Sequence, residues 1–206
     1  MNKTLRNDVN VHLNNLLNRY PVLDKCKTDI ISSFFALREC YTNNKKLMVC
    51  GNGGSAADAG HIVGELMKGF LLQRTPDGNA GDIEKQLQKA LPVIDLTQNT
   101  ALITAISNDM NPTLVFAQQV YGYGEKGDVL LGISTSGNAK NIMEAAKLAK
   151  EMNITVISLT GASGGAIVDC SDISICVPAV STAEIQELHL PVYHCLCAML
   201  EEEFFG

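Results

Sequence analysis

An α/β fold built on a doubly wound, five-stranded parallel sheet flanked by helices is the architecture this sequence predicts, and three observations carry it. Short, nearly continuous apolar runs recur at Leu47–Cys50, Pro92–Ile94, Asp128–Ile133, Ile154–Leu159 and Ile173–Val177, as in parallel strands covered on both faces. Segments with helical apolar spacing separate these runs. Two runs lead directly into turns of small polar residues, Gly51–Ser55 and Ser134–Asn138, where the βα loops of such a sheet belong.

Two helices precede the first strand. Leu5, Val9, Leu13, Leu16, Leu17 and Tyr20 recur at helical spacing until Pro21, and Ile30, Ile31, Phe34, Phe35 and Leu37 form the apolar side of a second helix from about Asp24 to Tyr41. This pair, within residues 1–43, suits packing on the sheet or against another subunit. After the first strand a helix starts at Ser55, where Ser-x-x-Asp58 reads as a near capping box, and ends near Gly69. Residues 71–91 form a surface excursion with turn chemistry from Thr75 to Asp82 and a short helix over Ile83–Gln88, expected to be lid-like. Short helices at Asn99–Ile106 and Pro112–Tyr121 follow the second strand. An amphipathic helix carrying Ile142, Ala145, Ala146 and Ala149 follows the third, and Thr182–Phe204 closes the chain, with Pro191 expected to kink it.

The 206 residues, 46% of them apolar, suit one domain. A formal charge of −6 argues against nucleic acid or an anionic membrane as the main partner. No apolar run reaches the roughly 18 residues of a membrane span, and the first residues carry no apolar signal segment, so a cytoplasmic protein is expected. The seven cysteines lie mostly within strand or helix patterns and read as reduced, buried side chains; Cys195-x-Cys197 lacks the gap of a usual zinc pair.

The two turns carry the chemistry. Glycines let backbone approach a ligand closely, and a helix N-terminus presents unpaired N–H groups, so Gly51–Ser55 is an anion cradle. A nucleotide P-loop is excluded, because no lysine follows Gly54. Gly51-x-Gly53-x-x-Ala56 fits a dinucleotide spacing, but the next strand ends too far along the chain to supply the acidic partner. Ser134, Thr135 and Ser136 add hydroxyls to a second cradle, which suits a compact phosphate, although the same residues also make an ordinary helix cap. His61 and Glu65 share a helix face one turn apart, as a structural pair, a pair of metal ligands or a proton-transfer pair. Gln186, His189 and His194 sit on the last helix, and spacing alone does not bring the two helices together.

Gly51-Asn52-Gly53-Gly54-Ser55-Ala56-Ala57-Asp58-Ala59-x-His61-x-x-x-Glu65 resembles the sedoheptulose 7-phosphate (phosphoheptose) isomerases of the sugar isomerase, or SIS, fold. Ser107-Asn108-Asp109, Gly127–Asn138 and Ile185-Gln186-Glu187-x-His189 extend the resemblance over nearly the whole chain. It implies a homotetramer with shared active sites and one zinc per subunit on His61, Glu65, Gln186 and His194. It implies a sugar-phosphate pocket lined by Asn52, Gly53, Gly54, Ser55, Glu65, Asn108, Asp109, Ser134, Thr135, Ser136 and Gln186. The reaction implied is aldose–ketose isomerisation through an enediolate, with Glu65 as base and His194 as its acid/base partner. Three features depart from the family pattern: Ala139 replaces a phosphate-binding serine, Glu184 stands where many members have arginine, and the 71–91 excursion is longer. Two alternatives are a non-catalytic SIS module that binds phosphosugars and an isomerase of another phosphosugar.

Overall fold

The computed structural model describes residues 4–76 and 81–206. Five parallel strands, β1 (Leu47–Gly51), β2 (Val93–Asp95), β3 (Val129–Ile133), β4 (Thr155–Thr160) and β5 (Ile173–Cys176), form one sheet in the order β2-β1-β3-β4-β5. The chain leaves β1 towards one edge and returns at β3 towards the other. The crevice outside the carboxyl ends of β1 and β3 is therefore the topological switch point, where open α/β sheets hold ligands. Gly51 pairs with Ile133 at that end of the ladder, so both small-residue turns leave the sheet at the same level.

Four helices cover one face: α1 (Asn7–Arg19), α2 (Lys27–Thr42), α3 (Gly54–Met67) and α7 (Thr182–Phe205). α4 (Thr100–Asp109), α5 (Ala117–Tyr123) and α6 (Lys140–Glu151) cover the other. Two cores result, and every residue of β1 and β3 is buried between them. The N-terminal pair packs on this chain's own α7 and sheet, with a 3₁₀ segment at Pro21–Cys26 delaying the second helix to Lys27. Buried apolar positions Val9, Leu13 and Leu16 mark the inward stripe of α1.

Three local expectations change. Ser55 does not cap α3: it is buried inside the helix, the N-cap is Gly53 at φ 57°, and no side chain caps that end. Ser55 is an attractive cap in sequence, but Gly53 alone accepts the left-handed turn that starts the helix one residue earlier. α7 is one helix from Thr182 to Phe205 with Pro191 inside it, so the proline expected to kink the helix does not end it. The excursion is pinned at its start. Arg74 is 1% exposed and its Nε donates to Glu201 Oε1 at 2.8 Å, while Glu201 also accepts from the N–H groups of Phe70, Leu71 and Leu72. Glu84–Gln86 forms a 3₁₀ turn where a short helix is expected, and Asp77–Ala80 of the predicted turn lie outside the described residues.

Candidate active site

α3 and α7 run side by side in the same direction. A Cβ added to Gly54 would run into the Gln186 carboxamide, and about two turns further along both helices His61 meets His194, their Nε2 atoms 3.2 Å apart. Eight residues of α7 thus match seven of α3, a register that holds across Pro191. Asp58, His61 and Glu65 form one stripe of α3 at helical spacing, and that stripe faces Tyr193 and His194.

His61 Nε2 lies 3.0 Å from Glu65 Oε1, and the ring stands edge-on to His194 with centroids 4.7 Å apart. One ligand atom from each of His61, Glu65 and His194 lies within 4.8 Å of the others. Two imidazoles and a carboxylate are a usual donor set for zinc, and tetrahedral ligands about 2.1 Å from such an ion stand about 3.4 Å from one another. The three side chains fit that group. The Gln186 carboxamide rests on Gly54 at the mouth of the first cradle. Burial, and then the neighbouring His61, lowers His194 below the ordinary histidine value, against an opposing pull from Glu65. Phe70, delivered by the pinned segment after α3, stacks at a tilt on His194 with centroids 5.4 Å apart.

His189 takes no part in this cluster. It is fully buried beneath the sheet end, neither ring nitrogen makes a hydrogen bond, and burial lowers it to about 4, with the Thr160 backbone opposing the shift. Its side chain serves as neutral packing.

The crevice itself is built from helix ends left open. α4 and α7 are capped by Asn99 and Ser181, whereas α3 and α6, which start from the two cradles, have no side-chain cap. Ala139 stands at the N-cap position of α6, so its missing hydroxyl leaves that helix end open. Gly137, at φ 65°, folds the second cradle onto Gly164–Gly165, where any side chain would clash with backbone. Asn138 ties the turn down: its Oδ1 accepts from Ala166 N–H at 3.0 Å and its Nδ2 donates to Ser136 O. Ser134 is buried, Thr135 half-buried and Ser136 exposed. Glu184 is engaged in capping: its carboxylate accepts from the Ser181 hydroxyl at 2.7 Å.

Sequence reasoning passed over Asn141. Asn52 in the first cradle and Asn141 at the start of α6 exchange two amide hydrogen bonds, at 3.0 and 2.9 Å, across the crevice. A cavity of about 330 Å³ opens beside them, with Gly53, Thr97 and Ser107 also in its wall. Asn108 and Asp109 lie exposed at the end of α4, joined by a 2.7 Å side-chain bond. A second cavity, of about 310 Å³, lies against His194 between α1, α7 and Phe70–Leu71, with His12 and Arg19 in its wall. Burial pushes the Cys40, Cys50 and Cys195 thiols up to about 12.

A sheet of this order, with two anion cradles at its switch point and a His–Glu–His cluster between α3, which leaves one of them, and α7, defines an α/β protein suited to a small phosphorylated ligand. Residues 15–161 match the SIS domain family. The chain is 42% identical over 183 residues to the phosphoheptose isomerase of Nitratiruptor sp., covering 89% of this chain and 90% of that one. It is 48% identical over 158 residues to the phosphoheptose isomerase of Aromatoleum aromaticum, covering 75% and 73%. The solved phosphoheptose isomerase GmhA from Neisseria gonorrhoeae superposes with a TM-score of 0.72 at 36% identity, over 92% of this chain and 95% of that one. The chain belongs to the SIS domain family, among the phosphoheptose isomerases.

Proposed function

We infer that this chain is an aldose–ketose isomerase that converts sedoheptulose 7-phosphate to D-glycero-D-manno-heptose 7-phosphate. The carrying observation is the meeting of His61 and Glu65 on α3 with His194 on α7. Such a cluster serves proton transfer, and phosphate binding alone has no use for it.

The phosphate is held at the crevice, by the open N–H groups of α3 and α6 and the hydroxyls of Ser134, Thr135 and Ser136. Asn52, Gly53, Gly54, Ser55, Gln186, Asn108 and Asp109 line the sugar's path. The carbonyl end lies at the cluster, where Glu65 takes a proton from C1 and returns it to C2 through an enediolate. His194, which burial lowers below the ordinary histidine value, would pass a proton between the C2 and C1 oxygens while its cluster nitrogen is not bound to a metal ion. Zinc held by His61, Glu65 and His194 would supply positive charge to those oxygens. Gln186, at Gly54, suits a substrate contact better than a fourth ligand. The enzyme is proposed to work in the cytoplasm as a homotetramer, the N-terminal helices contributing to its contacts. Neighbouring subunits would complete its sites.

Purified protein supplied with sedoheptulose 7-phosphate should form the aldose phosphate. Glu65→Gln should lower turnover by about 100- to 10,000-fold, the usual contribution of a general base, with substrate affinity nearly kept. A Glu65→Gln variant as fast as the parent would refute the assignment. As the second prediction, wild-type protein dialysed against zinc and washed should retain the metal, and His61→Ala should not. Equal metal in both would remove His61 from the ligand set.

A further inference from the structure

Behind His61 stands a pair of residues for which the reaction itself has no use. Tyr193 is 2% exposed, and its hydroxyl reaches across from α7 to α3. That oxygen lies 3.0 Å from His61 Nδ1 and 3.2 Å from Asp58 Oδ1. Asp58 Oδ2 is buried without a partner, so the carboxylate depends on the phenol for a donor. A phenol carries one hydrogen, and two acceptors cannot share it fully.

Two arrangements are possible. In one, the phenol donates to His61 Nδ1. The imidazole then carries its proton on Nε2, and Asp58 keeps no donor from the phenol, a costly state for a carboxylate this poorly solvated. In the other, the phenol donates to Asp58 and accepts from His61 Nδ1–H. Asp58 Oδ1, the phenol and His61 Nδ1–H are then all paired, and His61 Nε2 is left with a bare lone pair. That nitrogen is 3.0 Å from Glu65 Oε1 and 3.2 Å from His194 Nε2. There it can accept from His194 Nε2–H in the metal-free chain, or take a divalent cation in place of that proton. The second arrangement therefore prepares the cluster for a metal ion.

We propose that Asp58 and Tyr193 are positioning residues that hold His61 in the Nδ1–H tautomer and aim its Nε2 into a divalent-cation site. This deepens the proposed metal reading and rests on it. Partners behind a metal-bound histidine commonly change metal affinity by about 10- to 100-fold when removed.

The test uses the full-length protein, zinc alone as the probe, and two variants. Tyr193→Phe nearly preserves volume and should fold; it frees His61 to take either tautomer. Asp58→Ala removes the competing acceptor, so the phenol donates to Nδ1 and drives the proton onto Nε2. Zinc affinity, measured by competition with a chelating dye, should fall about 10- to 100-fold in Tyr193→Phe and at least as far in Asp58→Ala. Nitrogen-15 NMR of the metal-free chain should show His61 protonated on Nδ1 in the parent, mixed in Tyr193→Phe and protonated on Nε2 in Asp58→Ala. Unchanged affinity and tautomer in folded Tyr193→Phe would overturn the proposal. A parent that binds no zinc would overturn the metal reading, and the tautomer series would then still decide whether Asp58 and Tyr193 set the ring.

Discussion

At the scale of single residues, the chemistry depends on which polar groups are paired and which are exposed to a ligand. His61 and Glu65 are legible in the sequence, because four-residue spacing on a helix fixes a shared face. His194 can be named only through family resemblance, since no spacing rule joins residues 133 positions apart. Asp58 reads in sequence as part of a helix cap. The structure turns it instead towards Tyr193, a contact without sequence signature, because a tyrosine beside a histidine is ordinary helix content. His189 gives the third prediction. Its folded value of about 4 lies below the ordinary 6.5. Between those values the unfolded chain holds a proton on this ring that the folded chain does not. Stability from this residue is therefore complete above about 6.5 and falls as the pH drops towards about 4. The loss amounts to on the order of 3 kcal/mol. Urea midpoints at about pH 7 and pH 4.5 should diverge less in His189→Leu than in the parent. An equal divergence would mean that other groups govern the acid limb.

At the scale of elements, the site is the consequence of two parallel helices held in register. α3 begins at the crevice and α7 runs beside it, so residues near their starts face the crevice and residues about two to three turns on face the cluster. Periodicity recovers both helices, as well as β1 and β3, because each is long or strongly patterned. It does not show what fixes the segment after α3. Arg74 there caps the carbonyls of Glu65 and Leu66, at 2.9 and 2.5 Å, and pairs with Glu201. Burial alone would raise the Glu201 carboxyl, but the Phe70 and Leu71 N–H groups and the Arg74 guanidinium outweigh it and hold it below its usual range. A composition rich in turn residues hides this anchor, since one buried arginine in a polar stretch looks like surface. The fourth prediction is that Arg74→Met destabilises the fold by about 3–5 kcal/mol, as breaking a buried pair does. Lys150→Met, which breaks the exposed Lys150–Asp172 pair and leaves Asp172 accepting from Val156 N–H, should cost less than about 1 kcal/mol. Thermal unfolding of the two variants checks the contrast, and similar melting temperatures would show that the anchor is not structural.

At the scale of the molecule, the strand order explains why two turns about 80 residues apart in sequence open onto one crevice. β1 and β3 are neighbours at the switch point, so Gly51–Ser55 and Ser134–Asn138 face one crevice, with Asn52 and Asn141 joined across it. The apolar runs predict a parallel sheet, whereas the neighbour order follows from long-range packing that no local pattern encodes. Family membership leads to the aldose–ketose chemistry, and the proposed roles of His61, Glu65 and His194 are a reading of how this chain carries it. The fifth and most direct test follows sedoheptulose 7-phosphate in deuterated water. The account predicts that the protein incorporates solvent deuterium at C1 of the ketose and C2 of the aldose, and that Glu65→Gln abolishes this exchange. Wild-type protein that binds the sugar phosphate yet exchanges no proton at either carbon would contradict the account and leave a phosphosugar-binding module in its place.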